Sequence, residues 1–149
     1  MKRWSLAVVA VLILSGVGRT DEAAAVKMIE KFRGKIERDN KQPGKPIIGV
    51  DLKATMATDA ILKELKNLKD LQKLSLRGTK ITNAGLKDLK ELPQLTTLDV
   101  GFTKISDAGL KELKELKELN TLFLFNTKVT AAGVGELKKA LPKLEVFGK

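Results

Sequence analysis

Two successive lines of this chain are nearly the same line. LQKLSLRGTKITNAGLKDLKELPQ begins at Leu71 and LTTLDVGFTKISDAGLKELKELKE at Leu95, and they agree at 13 of 24 positions. A fixed period of this length is the mark of a stacked repeat architecture. The frame extends both ways. Ile47, Leu71, Leu95 and Leu119 are 24 residues apart, and Leu144 follows after 25, one residue being added near Ala140–Leu141.

Each copy opens with an apolar residue, two variable ones, then apolar–variable–apolar. These positions are Ile47, Val50 and Leu52; Leu71, Leu74 and Leu76; Leu95, Leu98 and Val100; Leu119, Leu122 and Leu124. The period of two at Leu74–Ser75–Leu76 predicts a short strand with one buried face. Further on, Leu86, Leu89 and Leu92 recur every three residues, as do Leu110, Leu113 and Leu116, which predicts a helix with one apolar stripe. A strand, a tight turn and a helix cannot bury their apolar side alone. Stacked on neighbours, the strands make a parallel sheet and the helices a second layer, with leucine between.

The turn has its own columns. Thr55, Thr79, Thr103 and Thr127 place a hydroxyl where the chain leaves the strand, able to bond nearby backbone groups. An apolar peg follows at Ile81, Ile105 and Val129. Thr82, Ser106 and Thr130 are then expected as helix N-caps. Asn83 and Asp107 stand in the first turn, where Asp also suits the positive helix end. Gly85, Gly109 and Gly133 are expected to let the helix approach the sheet closely. The first copy departs, with Ala57 at the peg and Ile61 at the glycine position, as terminal repeats often do.

The stretches LSLRGTKITNAGL, LDVGFTKISDAGL and LFLFNTKVTAAGV resemble leucine-rich repeat proteins of the subclass L-x-x-L-x-L-x-x-(C/T/N)-x-(I/V)-T-D-A-G-L. The likeness runs from about Ile47 to Phe147 and is strongest to small exported bacterial members with Thr in the turn column. It implies an α/β fold: a right-handed solenoid with a parallel concave sheet, convex helices and an N-terminal helical cap. It also implies a binding role, usually toward protein. It carries no particular partner, because the variable positions set that.

The flanking segments divide the chain into a signal peptide at 1–18, a cap of helix and loop at 19–46, and the repeat domain at 47–149, with four repeats and a partial fifth. The start is basic at Lys2 and Arg3, and an apolar run from Leu6 to Leu14 gives way to small residues, the layout of a secretory signal. That run falls far short of the roughly 20 residues a spanning helix needs. Cleavage would follow Gly18 or Ala25. Val26, Ile29 and Phe32 or Arg33 follow helical spacing, with Thr20 or Asp21 as a cap and Gly34 as a stop. Lys35 to Arg38 then reads as extended, and Asp39 to Pro46 as loop. Together they would shield the open edge of the first repeat; the alternative is an independent partner-binding helix. At the other end, Leu144 and Phe147 fit the positions of Leu119 and Leu122, so a fifth strand starts there. That thinly covered edge offers weak self-association.

The absence of Cys and His removes disulfides, thiolate nucleophiles, zinc-type ligand clusters and imidazole bases together. The formal net charge is +10, and a basic surface can attract nucleic acid or an anionic envelope polymer. The lysines nonetheless alternate with acids, as in Lys111, Glu112, Lys114, Glu115, Lys117 and Glu118, which is how a solvated helix face looks. No aromatics are interleaved among them for base stacking, so specific nucleic-acid binding is not expected.

In the resembled family the residues between the strand leucines face the concave side. Here those columns are Gly49, Lys73, Thr97 and Thr121; Asp51, Ser75, Asp99 and Phe123; Lys53, Arg77, Gly101 and Phe125; and beside them Ala54, Gly78, Phe102 and Asn126. Of only five Phe in the chain, Phe102, Phe123 and Phe125 fall together here. Exposed apolar clusters rimmed by charge often mark interaction sites. The candidate binding residues are therefore Phe102, Phe123, Phe125, Asp99, Arg77, Asp51 and Lys53, with Gly101 leaving space for a shallow pocket beside Phe125. The alternative is that the rings pack on each other, or that Phe102 turns inward. Asp51 and Asp99, two strands or roughly 10 Å apart, are within range of an inverting glycosidase pair. Nothing builds a cleft around them, so no enzyme and no cofactor are expected. The sequence reads as an exported, non-enzymatic module binding a protein or peptide. The runner-up is an adhesive envelope component acting through its basic surface.

Overall fold

The computed structural model describes residues 22–148. The signal segment at 1–18 and the cap residues Thr20 and Asp21 lie outside it. Strands β1 (Lys35–Arg38), β2 (Ile47–Asp51), β3 (Lys73–Ser75), β4 (Thr97–Asp99), β5 (Thr121–Phe123) and β6 (Glu145–Phe147) form one six-stranded sheet in chain order. From β2 to β6 every neighbouring pair is parallel and in step with the repeat, so that Val50, Leu74, Leu98, Leu122 and Val146 share one row. The backbone ladder continues past the strands: Leu52, Leu76, Val100 and Leu124 each donate an N–H to a carbonyl one repeat on.

The core is the repeating leucine set. Leu74, Leu98 and Leu122 lie buried between the sheet and a helical layer that contributes Ile61 and Leu65, Leu86 and Leu89, Leu110 and Leu113, and Leu137. That layer holds α2 (Asp59–Leu65), a 3₁₀ helix (Gly85–Glu91), α3 (Asp107–Glu112) running into a short 3₁₀ turn (Leu113–Glu115), and α4 (Ala131–Ala140). The expected helical stripe thus takes two forms. Leucines every third residue match the 3.0 residues per turn of a 3₁₀ helix better than the 3.6 of an α-helix. On α4 the leucine spacing relaxes to Leu137 and Leu141, and a regular α-helix forms there.

The N-terminal edge is capped. Helix α1 (residues 22–31) buries Ala25 and Ile29 completely, with Val26 and Phe32 packed against the same core. The buried stripe thus begins at Ala25, one residue before the expected Val26. Strand β1 pairs antiparallel with β2. Gly34 is not the left-handed stop; Arg33 takes that conformation at φ 57°. Gly34 donates to the Ile29 carbonyl, and a Cβ there would lie 2.7 Å from the Leu52 side chain.

The turn columns hold as hydrogen bonds. Thr55, Thr79, Thr103 and Thr127 each donate a hydroxyl to the carbonyl three residues back, over 2.6–2.9 Å. The next column does something other than capping. The Thr82 N–H and hydroxyl both donate to the Asp59 carboxylate, at 2.8 and 2.6 Å. The Ser106 N–H reaches Asn83 Oδ1 at 3.0 Å while Asn83 Nδ2 donates to the Ser106 hydroxyl. Thr130 repeats the clasp on Asp107, with both bonds at 2.7 Å. Of the three expected caps, only Thr130 accepts a helix N–H with its side chain, from Gly133 at 3.2 Å. Each repeat is thereby tied to the next.

This clasp also corrects the reason for the glycines. A Cβ at Gly85 or Gly133 would collide with the carboxylate of Asp59 or Asp107, and one at Gly109 would stand 2.6 Å from Asn83 Oδ1. The glycines make room for the preceding repeat's side chain, not for helix–sheet approach. The first copy has no such carboxylate behind it, so Ile61 fits. In the fourth copy Ala131 stands where Asp59, Asn83 and Asp107 stand, and the series of clasps stops.

Candidate functional site

The register of the strands turns the variable positions into straight rows across the sheet. One row runs Lys35, Asp51, Ser75, Asp99, Phe123 and Phe147, and another Glu37, Gly49, Lys73, Thr97, Thr121 and Glu145. The first row is charged toward β1 and aromatic toward β6, while the second holds no aromatic residue. A depression of about 450 Å³ lies over the charged half, with Glu37, Asp51, Lys73 and Asp99 in its lining and Phe123 at its end. The Lys73 ammonium pairs with Glu37 at 3.3 Å. The two aspartates have structural work as well. Asp51 Oδ1 accepts the Lys53 N–H and Asp99 Oδ1 accepts the Gly101 N–H, at 2.9 and 2.8 Å, the local turn a short carboxylate favours at a strand exit. Lys53 itself is exposed.

At the aromatic half the rings meet each other and remain open to solvent. Phe123 stacks on Phe147 with centroids 5.2 Å apart and on Phe125 at 6.5 Å. Phe102, Phe125 and Phe147 are 49, 41 and 42% exposed, so Phe102 does not turn inward and the rings do not form a closed core. Arg77 joins them. Its guanidinium carbon lies 4.4 Å from the Phe102 centroid and 5.6 Å from that of Phe125. Its Nη1 stands 4.0 Å from Asp99 Oδ2. The space expected over Gly101 is filled by these groups: a Cβ there would be 3.1 Å from Asp99 Oδ1 and 3.6 Å from Arg77 Nη1. A platform stands there in place of the shallow pocket.

The backbone beneath Phe102 is unusual. Ala54, Gly78, Phe102 and Asn126 all leave their strands in the left-handed region, at φ 51–67°. Gly and Asn do so readily, whereas a bulky residue there is uncommon. The Phe102 N–H donates to the Phe125 carbonyl at 2.6 Å, and this ladder bond holds the conformation in place.

Arg77, Asp99, Phe102, Phe123 and Phe125 therefore come together, Asp51 lines the depression toward β1, and Lys53 contributes a backbone N–H. Phe147 was missed by the sequence reading, which set it in line with Leu122. The register instead pairs Leu122 with Val146 and Phe123 with Phe147. The strand keeps the 24-residue step of the other copies despite the 25-residue step to Leu144, and the alternation Glu145–Val146–Phe147 was the signal for it.

A larger hollow, about 790 Å³, opens between α1, the loop before β2 and residues 67–70, and the Arg38–Glu22 ion pair at 2.7 Å lies in its wall. Its lining comes from the cap and the helical side, away from the aromatic strip. Among the described residues, no group of three or more His, Cys, Asp or Glu is placed to hold a metal ion, and no helix is long and apolar enough to cross a membrane.

Residues 67–90 and 92–114 match the family model described as Leucine Rich repeat. Those two segments thus match the leucine-rich repeat, and the strand–turn–helix stack around them is an α/β arrangement of that kind. Similar solved structures include internalin C2 of Listeria monocytogenes, 30% identical over 56% of this chain and 34% of that one, with a TM-score of 0.47. A leucine-rich-repeat protein of Leptospira interrogans is 29% identical over 56% of this chain and 21% of that one, with a TM-score of 0.46. The chain thus spans about a third of the first and a fifth of the second. No curated protein matches it.

Proposed function

We propose that this leucine-rich-repeat solenoid is a non-enzymatic binding module that takes a protein or peptide across its variable sheet face, and that this face is the concave one. The observation that carries the reading is the strip of exposed rings, Phe102, Phe125 and Phe147, set on a hydrogen-bonded sheet with charged rows beside it. Aromatic groups anchored on a rigid scaffold lose little conformational freedom on binding and are typical anchors of interfaces. Phe102 adds weight, because a strained backbone position kept for a solvent-facing ring is hard to account for by folding alone.

The protein is proposed to be exported, with residues 1–18 as its signal. Cleavage after Gly18 leaves α1 whole. Cleavage after Ala25 would remove Glu22, the partner of Arg38, together with the fully buried Ala25 itself.

The test is a pull-down from the envelope and culture proteins of the native host with the mature protein, comparing wild type with the Phe123→Ala/Phe125→Ala double variant. The expected result is partners lost with the fold retained by circular dichroism. If the double variant unfolds like a core variant, the rings are structural and the proposal fails. Capture that the variant leaves intact but high salt abolishes would favour an adhesive role of the basic helical face.

A further inference from the structure

Resting on the reading of the aromatic face as the binding surface, we infer that Arg77 is its anion-recognising centre. Arg77 takes the side-chain carboxylate of an extended acidic peptide, and an apolar side chain next to that carboxylate lies on Phe102 and Phe125.

The guanidinium has five N–H donors in a planar fork, and among the described residues none of them makes a hydrogen bond to protein. It is nonetheless held in place. Phe102 lies 4.4 Å beneath it and Phe125 is 5.6 Å away. Asp99 does not consume the fork. Its Oδ2 is 4.0 Å from Nη1, an ion pair without a hydrogen bond, and its Oδ1 already accepts the Gly101 N–H. Asp99 therefore fixes the orientation of the guanidinium from one side and leaves the other edge to solvent. A planar cation stacked on rings and unbonded at its donor edge is arranged for two-point recognition of a carboxylate. The rest of the molecule favours that partner. The net charge is +10, or +8 without Lys2 and Arg3 of the proposed signal, and Lys53 carries a second cation in the row of Arg77. The floor beside the guanidinium is aromatic, so the residue next to the acid is apolar.

The probe is a random heptapeptide phage library selected on the wild-type protein, followed by synthetic consensus peptides with amidated C-termini measured by fluorescence anisotropy. The enriched sequences are expected to pair Asp or Glu with an adjacent apolar residue. Replacing that acid by its amide, or Arg77→Gln in the protein, should each weaken binding about 10- to 100-fold. The two changes together should cost little more than either alone. Arg77→Lys should recover only part of the loss, since an ammonium lacks the fork. Thermal melts of both variants at wild-type values keep the comparison clean. Enriched peptides without acids that lose binding to the Phe123→Ala/Phe125→Ala protein but not to Arg77→Gln would overturn the role of Arg77 and leave the aromatic face standing. A library with no enrichment over that double variant would overturn both.

Discussion

The four residues that leave the strands in the left-handed region are unequal in cost. Gly78 and Asn126 adopt it readily, whereas Ala54 and Phe102 each forgo on the order of 1–2 kcal/mol. Phe102→Asn, which copies Asn126, should therefore leave the urea midpoint unchanged or higher even though it removes an exposed ring from its contact with Arg77. A stability loss beyond about 1 kcal/mol would show the stacking to outweigh the strain. The glycines give a sharper contrast. Gly133→Ala drives a methyl into the Asp107 carboxylate and should destabilise by about 1–3 kcal/mol. Much of that loss should vanish when Asp107→Ala is added, because the two sites share one space. Gly135, two residues on in the same helix, has nothing within 4 Å of an added Cβ, so Gly135→Ala should stabilise by up to about 1 kcal/mol in the same unfolding assay. The glycine column was legible from the repeat, but its purpose was not. The neighbour that demands it stands in the preceding copy, and only Ile61 and Ala131, at the two ends of the series, hinted at a relation between copies.

At the scale of the element, each strand is three to five residues long and owes its existence to the layer behind it. Leu98 and Leu122 are fully buried in that layer, and either one changed to Ala should cost about 2–5 kcal/mol, read as a lowered midpoint in urea. An equivalent change on the variable face, at Thr97 or Thr121, should stay within about 0.5 kcal/mol. Strand positions were readable because a period of two repeated in four copies is redundant information. The helical layer was less so, since three-residue spacing suits both an α stripe and a 3₁₀ helix, and packing decided for 3₁₀ at Gly85–Glu91. Strand β6 was misread for the opposite reason. It occurs once, without copies to average over, and the 25-residue step to Leu144 was carried into a strand that in fact keeps the 24-residue step and sets Phe147 in the exposed row.

On the scale of the whole molecule the two ends of the sheet are treated differently. At one end α1 buries Ala25 and Ile29, and β1 closes the edge. At the other, Glu145 donates its N–H to Asn120 and Phe147 accepts from Leu124, which turns the Val146 backbone groups outward. Helix α4 adds little cover there; its Glu136 carboxyl is drawn below its ordinary value by a hydrogen bond from Lys139, an exposed pair on its own surface. A second copy is proposed to pair weakly with the open edge of β6. Sedimentation should show a concentration-dependent dimer for the wild type and a monomer for Phe147→Lys, a charge of the kind that protects natural edges. A wild-type monomer at millimolar concentration would end that proposal.

The clasp between repeats has a bearing on how such a molecule lengthens. A duplicated 24-residue segment placed between the second and third copies finds a carboxylate or amide behind it and a glycine ahead of it, and it adds one strand width, about 4.8 Å, to the face. The same segment placed after Ala131 finds no acceptor waiting. Growth of the array is open at its interior seams and barred beyond Ala131, so the width of the sheet face is adjusted from the middle.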